Sequence, residues 1–184
     1  YISIMYNTII DKYYPIDSPL RQILIKHSRQ VADKAVKVAQ ELHLDLDPTI
    51  IRTAAMLHDI GIFLTNAPDI ECHGKEPYIK HGILGAEILR REGIEEVYAR
   101  VAERHTGAGI TIADIELQSL PLPRIDFCPE TKLERLICYA DKFYSKSGDM
   151  KEKDIERIRR SMSRHSQETL NRWLTLETEF YTSI

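Results

Sequence analysis

Cysteine is scarce and scattered in this sequence: Cys72, Cys128 and Cys138 are its full complement of three. An odd, dispersed set builds neither a disulfide framework nor a zinc motif, so a reducing cytoplasm is the expected setting. No apolar run approaches the roughly 20 residues that a membrane-spanning helix needs. No signal peptide is visible either, although the sequence begins at Tyr1 rather than Met. We therefore expect no membrane partner. Runs of Lys and Arg are missing as well. The net charge is −3, and the basic stretch Arg157, Arg159, Arg160 is interleaved with acids, which reads as a solvated helix face. Nucleic acid is accordingly not an expected partner. Strand signals are nearly absent, and there is no internal repeat or low-complexity tract.

What remains is a soluble globular composition, with 43% hydrophobic and 29% charged residues in 184. That length suits one domain, or one domain with a helical tail. Ser18-Pro19 and Asp47-Pro48 each read as an N-cap followed by Pro at the first helical position. Leu20, Ile23, Leu24, His27, Val31, Val38 and Leu42 keep a helical period after the first, and Ile50 to His58 form a run after the second. Further helices are expected from Glu76-Pro77 to Gly93, from Ile94 to His105, from Pro129 to Ser147 and over a short opening segment, Ile4 to Tyr14. Asp154 to Phe180 reads as one long charged helix with Ile155, Ile158, Met162, Leu170, Trp173 and Leu174 on its apolar side, packed on the bundle or on a second copy in a homodimer. Residues 62–76 and 106–128 are loops, of a length usual for functional lids. The expected fold is all-α, a single-domain bundle of about six to eight helices, with its core over about 20–148 and a tail over 150–182.

The chemistry lies in where the ionisable residues fall. His27 sits inside an apolar stripe, between Leu24 and Val31. His58-Asp59 ends the run Ala54-Ala55-Met56-Leu57. His81 precedes Leu84 and Gly85 on an otherwise packed helix, His105 lies on the side of Val97 and Val101, and Asp141 on that of Leu133 and Ile137. Each has an ordinary reading: a hydrogen-bonded core histidine, an imidazole near the last carbonyls of a helix, or a carboxylate paired with Lys142 or Arg135. Those readings must hold independently five times, whereas convergence on metal explains all the positions at once. A buried carboxylate needs a partner or a cation. Imidazole and carboxylate suit first-row divalent ions. Six such groups exceed the four positions of a closed zinc site, which points to two ions sharing a bridge.

At these residues the sequence resembles the HD-domain superfamily of metal-dependent phosphohydrolases. The resemblance runs from His27 to Asp141 and centres on Ala-Ala-Met-Leu-His-Asp-Ile-Gly at 54–61. His27, His58, Asp59 and Asp141 match the superfamily order, the last within Tyr-Ala-Asp-Lys. His81-Gly82 and His105-Thr106-Gly107 match the two extra histidines of members that hold two metals. The resemblance implies that Asp59 bridges the ions and is central to catalysis, with His27, His58 and Asp141 on one ion and His81 and His105 on the other. It further implies two divalent first-row ions, Fe or Mn before Zn, Co, Ni or Mg, and hydrolysis of a phosphoester or phosphoanhydride in a nucleotide or similar small anion. A mixed-valent di-iron oxygenase and a non-catalytic ligand-binding HD domain are the alternatives. One departure stands out: many members place Lys directly after His-Asp-Ile-Gly, where this chain has Ile62. Lys142, Lys146 and Arg104 are then the candidates for holding substrate phosphate. His43, His73 and His165 read as solvated.

Overall fold

The computed structural model describes residues 2–181, with side chains described from Tyr6 onward. The Ile4 side chain and residue 182, where the expected tail ends, lie outside the described residues. Nine α-helices occur among the described residues: α1 (Ile2–Tyr13), α2 (Pro19–Glu41), α3 (Pro48–Leu57), α4 (His81–Arg91), α5 (Glu96–Arg104), α6 (Ile112–Leu117), α7 (Lys132–Asp141), α8 (Ile155–Ser163) and α9 (Gln167–Phe180). The fold is all-α apart from a small sheet.

The caps work as their residues dictate. The Ser18 side chain accepts from the Arg21 N–H at 3.2 Å, and Asp47 accepts from the Thr49 N–H at 2.6 Å. Thr131 and Glu134 form a capping box that delays the start of α7 to Lys132, later than Pro129. That helix also stops before Ser147, because the N–H groups of Lys142, Phe143 and Tyr144 turn back three residues instead of four, onto Tyr139, Ala140 and Asp141. The turn leaves Asp141 at a helix end.

Three further differences from the sequence reading have physical causes. The tail is two helices, because Ser166 adopts an extended conformation and caps α9 through the Thr169 N–H. The restart resets the phase: Trp173, Leu176 and Phe180 are buried while Leu174 is 37% exposed. Within 106–128, Thr111 and Asp114 cap the short α6. Within 62–76, strands β1 (Thr65–Ala67), β2 (Cys72–His73) and β3 (Glu76–Pro77) form a sheet of order β2-β1-β3, antiparallel on one side and parallel on the other. Strands of two or three residues carry no readable alternation.

One contiguous apolar cluster runs from Ile9 in α1 to Phe180 in α9. Helix α2 packs on α3 and α7, α4 on α5, and α7 on α9. Trp173 stacks on Tyr139 with ring centroids 5.4 Å apart, so the tail closes the core of this same chain. The polar side chains described next project into this frame from α2, α3, α4, α5 and α7.

Candidate metal centre

The structure brings together all six side chains proposed as ligands. His27, His58 and Asp59 are fully buried, and His81, His105 and Asp141 nearly so. Asp59 lies at the middle, and its two oxygens face different partners. Oδ2 is 3.2 Å from His27 Nε2 and 3.1 Å from His58 Nε2, while Oδ1 is 3.3 Å from His105 Nε2 and 3.5 Å from His81 Nε2. Asp141 Oδ1 completes the first group, 2.9 Å from His27 Nε2 and 3.4 Å from His58 Nε2. Two donor sets thus share one carboxylate: His27, His58, Asp59 and Asp141, and Asp59, His81 and His105.

The helix ends explain why the rings point inward. His58 and His105 cap the C-termini of α3 and α5, and His81 follows a 3₁₀ turn at Tyr78–Lys80. Carbonyls in a last turn lack intrahelical partners. The rings of His58 and His105 each satisfy one, with Nδ1 donating to Ala55 O at 2.6 Å and to Ala102 O at 2.8 Å, and His81 Nδ1 likewise donates to Tyr78 O at 2.7 Å. The bland reading of His58 as an imidazole at a helix end is therefore correct, and it prepares the ring as a ligand. With Nδ1 committed to a carbonyl, Nε2 of each ring is the atom turned toward the cluster, where its lone pair can serve a metal.

That arrangement fits a cation. His81 and His105 place their Nε2 atoms 3.0 Å apart, two lone pairs face to face. His58 Nε2 and both Asp59 oxygens are buried without a directed hydrogen bond. Metal–ligand bonds of about 2.1 Å make polyhedron edges of roughly 3.0–3.4 Å, the range spanned by most of these separations. Donor chemistry and geometry agree: the cluster can hold divalent metal.

Electrostatics divide the site. Burial would raise the Asp59 carboxyl, but His58 and the Lys146 ammonium hold it well below the usual range. Burial likewise works against ionised Asp141, which Lys142, His27 and His58 nevertheless keep well below that range. Burial would lower His58, yet Asp59 and Asp141 push it up to about 9. Burial and the adjacent His105 push His81 down to about 3, and burial lowers His105 too. Protonation is thus disfavoured at His81 and His105, whereas the Asp59 and Asp141 carboxylates are held ionised by the basic groups around them.

Of the three cations proposed for phosphate, two stand at the site. Lys146 Nζ lies 2.6 Å from Asp59 Oδ2, and Lys142 pairs with Asp141. Arg104 does not join them. Its Nη1 donates to Cys128 O at 2.8 Å and to Glu130 at 2.9 Å, so it ties α5 to the segment before α7. Ile62 is fully buried and offers nothing to a ligand. A cleft of about 350 Å³ opens beside Asp141, lined by Tyr78, Lys142, Tyr144, Lys146 and Lys153. His43, His73 and His165 are exposed, all outside the cluster.

Two supporting residues carry no sequence signal. Tyr78 stacks on His81, with centroids 4.6 Å apart. Tyr14, buried at the end of α1, donates to Ile60 O at 2.8 Å and pins the turn that carries Asp59. Gly61 lets that turn touch α4, since a Cβ there would lie 2.4 Å from both Gly85 N and His81 O. Gly61→Ala is expected to destabilise the fold by about 1–3 kcal/mol and to weaken metal retention. Thermal denaturation and metal analysis of the same sample check both, and an unchanged melting temperature would contradict the packing described.

A helical bundle that buries paired imidazole and carboxylate sets defines a metal-binding domain of the HD type. The HD domain family model matches residues 24–146, and the chain belongs to that family. HD domains bind divalent metals, in keeping with the cluster. A tRNA (cytidine(56)-2'-O)-methyltransferase of Picrophilus torridus is 37% identical over 123 residues, 67% of this chain and 32% of that protein. An uncharacterized protein of Methanocaldococcus jannaschii is 37% identical over 121 residues, 64% of each. Ribonuclease Y of Clostridium kluyveri is 36% identical over 99 residues, 54% of this chain and 16% of that protein. The match thus spans about a third of the methyltransferase and under two thirds of the Methanocaldococcus protein. Among solved structures, the HD domain of the L. monocytogenes phosphodiesterase PgpH shares the fold, with a TM-score of 0.56 at 19% identity over 97% of this chain and 89% of that one.

Proposed function

We propose that this protein is a metal-dependent phosphohydrolase that cleaves a phosphoester or phosphoanhydride in a nucleotide or similar small anion, with Asp59 bridging two divalent ions. The observation that carries this reading is the division of the Asp59 carboxylate, one oxygen toward His27 and His58 and the other toward His81 and His105. When bound, a divalent pair supplies Lewis acidity that activates water and neutralises phosphoryl charge, chemistry that serves hydrolysis without a nucleophilic side chain. Iron or manganese suits the mixed imidazole and carboxylate donors, with Zn, Co, Ni and Mg as the other choices.

The chain's own residues do the rest. The carbonyls of Ala55, Tyr78 and Ala102 hold three imidazoles in one tautomer and orientation. Lys142 and Lys146 stand between the carboxylates and the cleft, where a phosphate would meet them. The cleft opens to solvent, with Lys142, Lys146 and Lys153 in its lining and Tyr78 and Tyr144 as walls, which suits a small anion with an apolar or aromatic portion. The complex of the PgpH HD domain with cyclic-di-AMP supports a nucleotide as the substrate class.

His81→Ala tests the reading. The variant is expected to lose one of the two ions and most activity with an unchanged far-ultraviolet circular dichroism spectrum. The assay pairs elemental analysis of anaerobically purified protein with phosphate release across nucleotides and candidate metals. Metal content equal to that of the parent would contradict the ligand assignment. Turnover that required dioxygen in the iron-loaded protein would turn the chemistry toward an oxygenase.

A further inference from the structure

The ammonium of Lys146 sits where a metal ion would have to compete with it. Its side chain is nearly buried, and Nζ is 2.6 Å from Asp59 Oδ2, the oxygen that also faces His27 and His58. It spans a boundary, because Lys146 also lines the 350 Å³ cleft together with Lys142 and Lys153. Lys146 follows α7 at a bend whose next residues, Ser147, Gly148 and Asp149, are exposed. The chain therefore has room to redirect this side chain toward the cleft. Position 62 supplies no cation, since Ile62 is fully buried.

Extending the two-ion reading above, on which it rests, we propose that Lys146 is a resident counter-ion of the bridging carboxylate, displaced into the cleft by metal loading, where it binds the substrate's phosphate. Metal and phosphate are thereby coupled through one side chain. An ion that takes Asp59 Oδ2 removes the ammonium's partner and repels it as a like charge. The ammonium then needs an anion, and the cleft is where a phosphate arrives. Binding is ordered as a result, with metal first and the phosphorylated ligand second. The same exchange keeps Asp59 neutralised before metal arrives, which a buried carboxylate requires.

The test uses Mn²⁺ and inorganic phosphate as probes, with titration calorimetry on metal-stripped wild type, Lys146→Met and Lys146→Arg. Lys146→Met is expected to bind Mn²⁺ about fivefold or more tighter than wild type, because the competing cation is gone. Once loaded with Mn²⁺, it is expected to bind phosphate about tenfold or more weakly than loaded wild type. Lys146→Arg, which keeps the charge, should restore both values toward wild type and controls for damage to the bend. Equal or weaker Mn²⁺ binding by Lys146→Met would overturn the displacement. Unchanged phosphate affinity in the loaded variant would overturn the hand-over. Failure of the wild type itself to bind Mn²⁺ would overturn the two-ion reading, and this inference with it, a result distinct from the other two.

Discussion

Asp59→Asn is expected to empty both halves of the site at once and to lower turnover by at least about 10³-fold. The reason is the central position of this carboxylate, which among the described residues is the one common to both donor sets. An amide keeps the shape but not the charge, and its NH₂ is a donor. It would point a hydrogen toward the His105 and His81 Nε2 atoms, which the carbonyls of Ala102 and Tyr78 have left as acceptors. The variant would therefore satisfy with a hydrogen bond what a bound cation would satisfy in the parent. The pKa of His58 should also fall, since Asp59 is the strongest influence raising it against burial. Elemental analysis and phosphate release read the outcome. Metal content equal to that of the parent would show that the bridge lies elsewhere.

Trp173→Ala is expected to have the largest effect on stability, about 3–5 kcal/mol, or roughly 6–20 °C in melting temperature for a chain of this size. Trp173 is fully buried and stacks nearly parallel on Tyr139, at 6° between ring planes. Phe180 and Phe143 close around the same pair. The indole N–H donates to Glu177 at 3.1 Å, so truncation also strips a buried carboxylate of one partner. Tyr139 lies on α7 two residues before Asp141, so loosening this stack reaches the metal site through the helix itself. A shift below about 2 °C would mean that α9 is peripheral to the core rather than part of it.

The site was more legible in the sequence than the fold around it. His27, His58, Asp59, His81, His105 and Asp141 each interrupt an apolar pattern, and a helical period projects such residues to the inner face whatever the loops do. Their convergence required only that the helices pack. The contacts of the three cations had no comparable signal. Lys142, Lys146 and Arg104 were alike as basic neighbours of ligands, yet Lys146 reaches Asp59 across 87 positions of sequence (146 − 59), and Arg104 is held by Glu130 and Cys128. Side chains on flexible stems are placed by tertiary contacts, which no local spacing encodes. The division of the tail was written in Ser166, whose hydroxyl takes the Thr169 N–H, but the polar residues 164–168 preserve a helical look across the break. The β1 to β3 sheet is held by register and by Gly74, where a Cβ would fall 2.1 Å from the Leu64 carbonyl, and neither feature leaves a periodic trace.

Anomalous diffraction from crystals of metal-loaded protein, collected on both sides of the absorption edge of the bound element, addresses the central claim most directly. Two peaks are expected, one among His27, His58 and Asp141 and the other against His81 and His105, with the Asp59 carboxylate between them. A single peak, or ions bound away from Asp59, would contradict a shared two-ion centre.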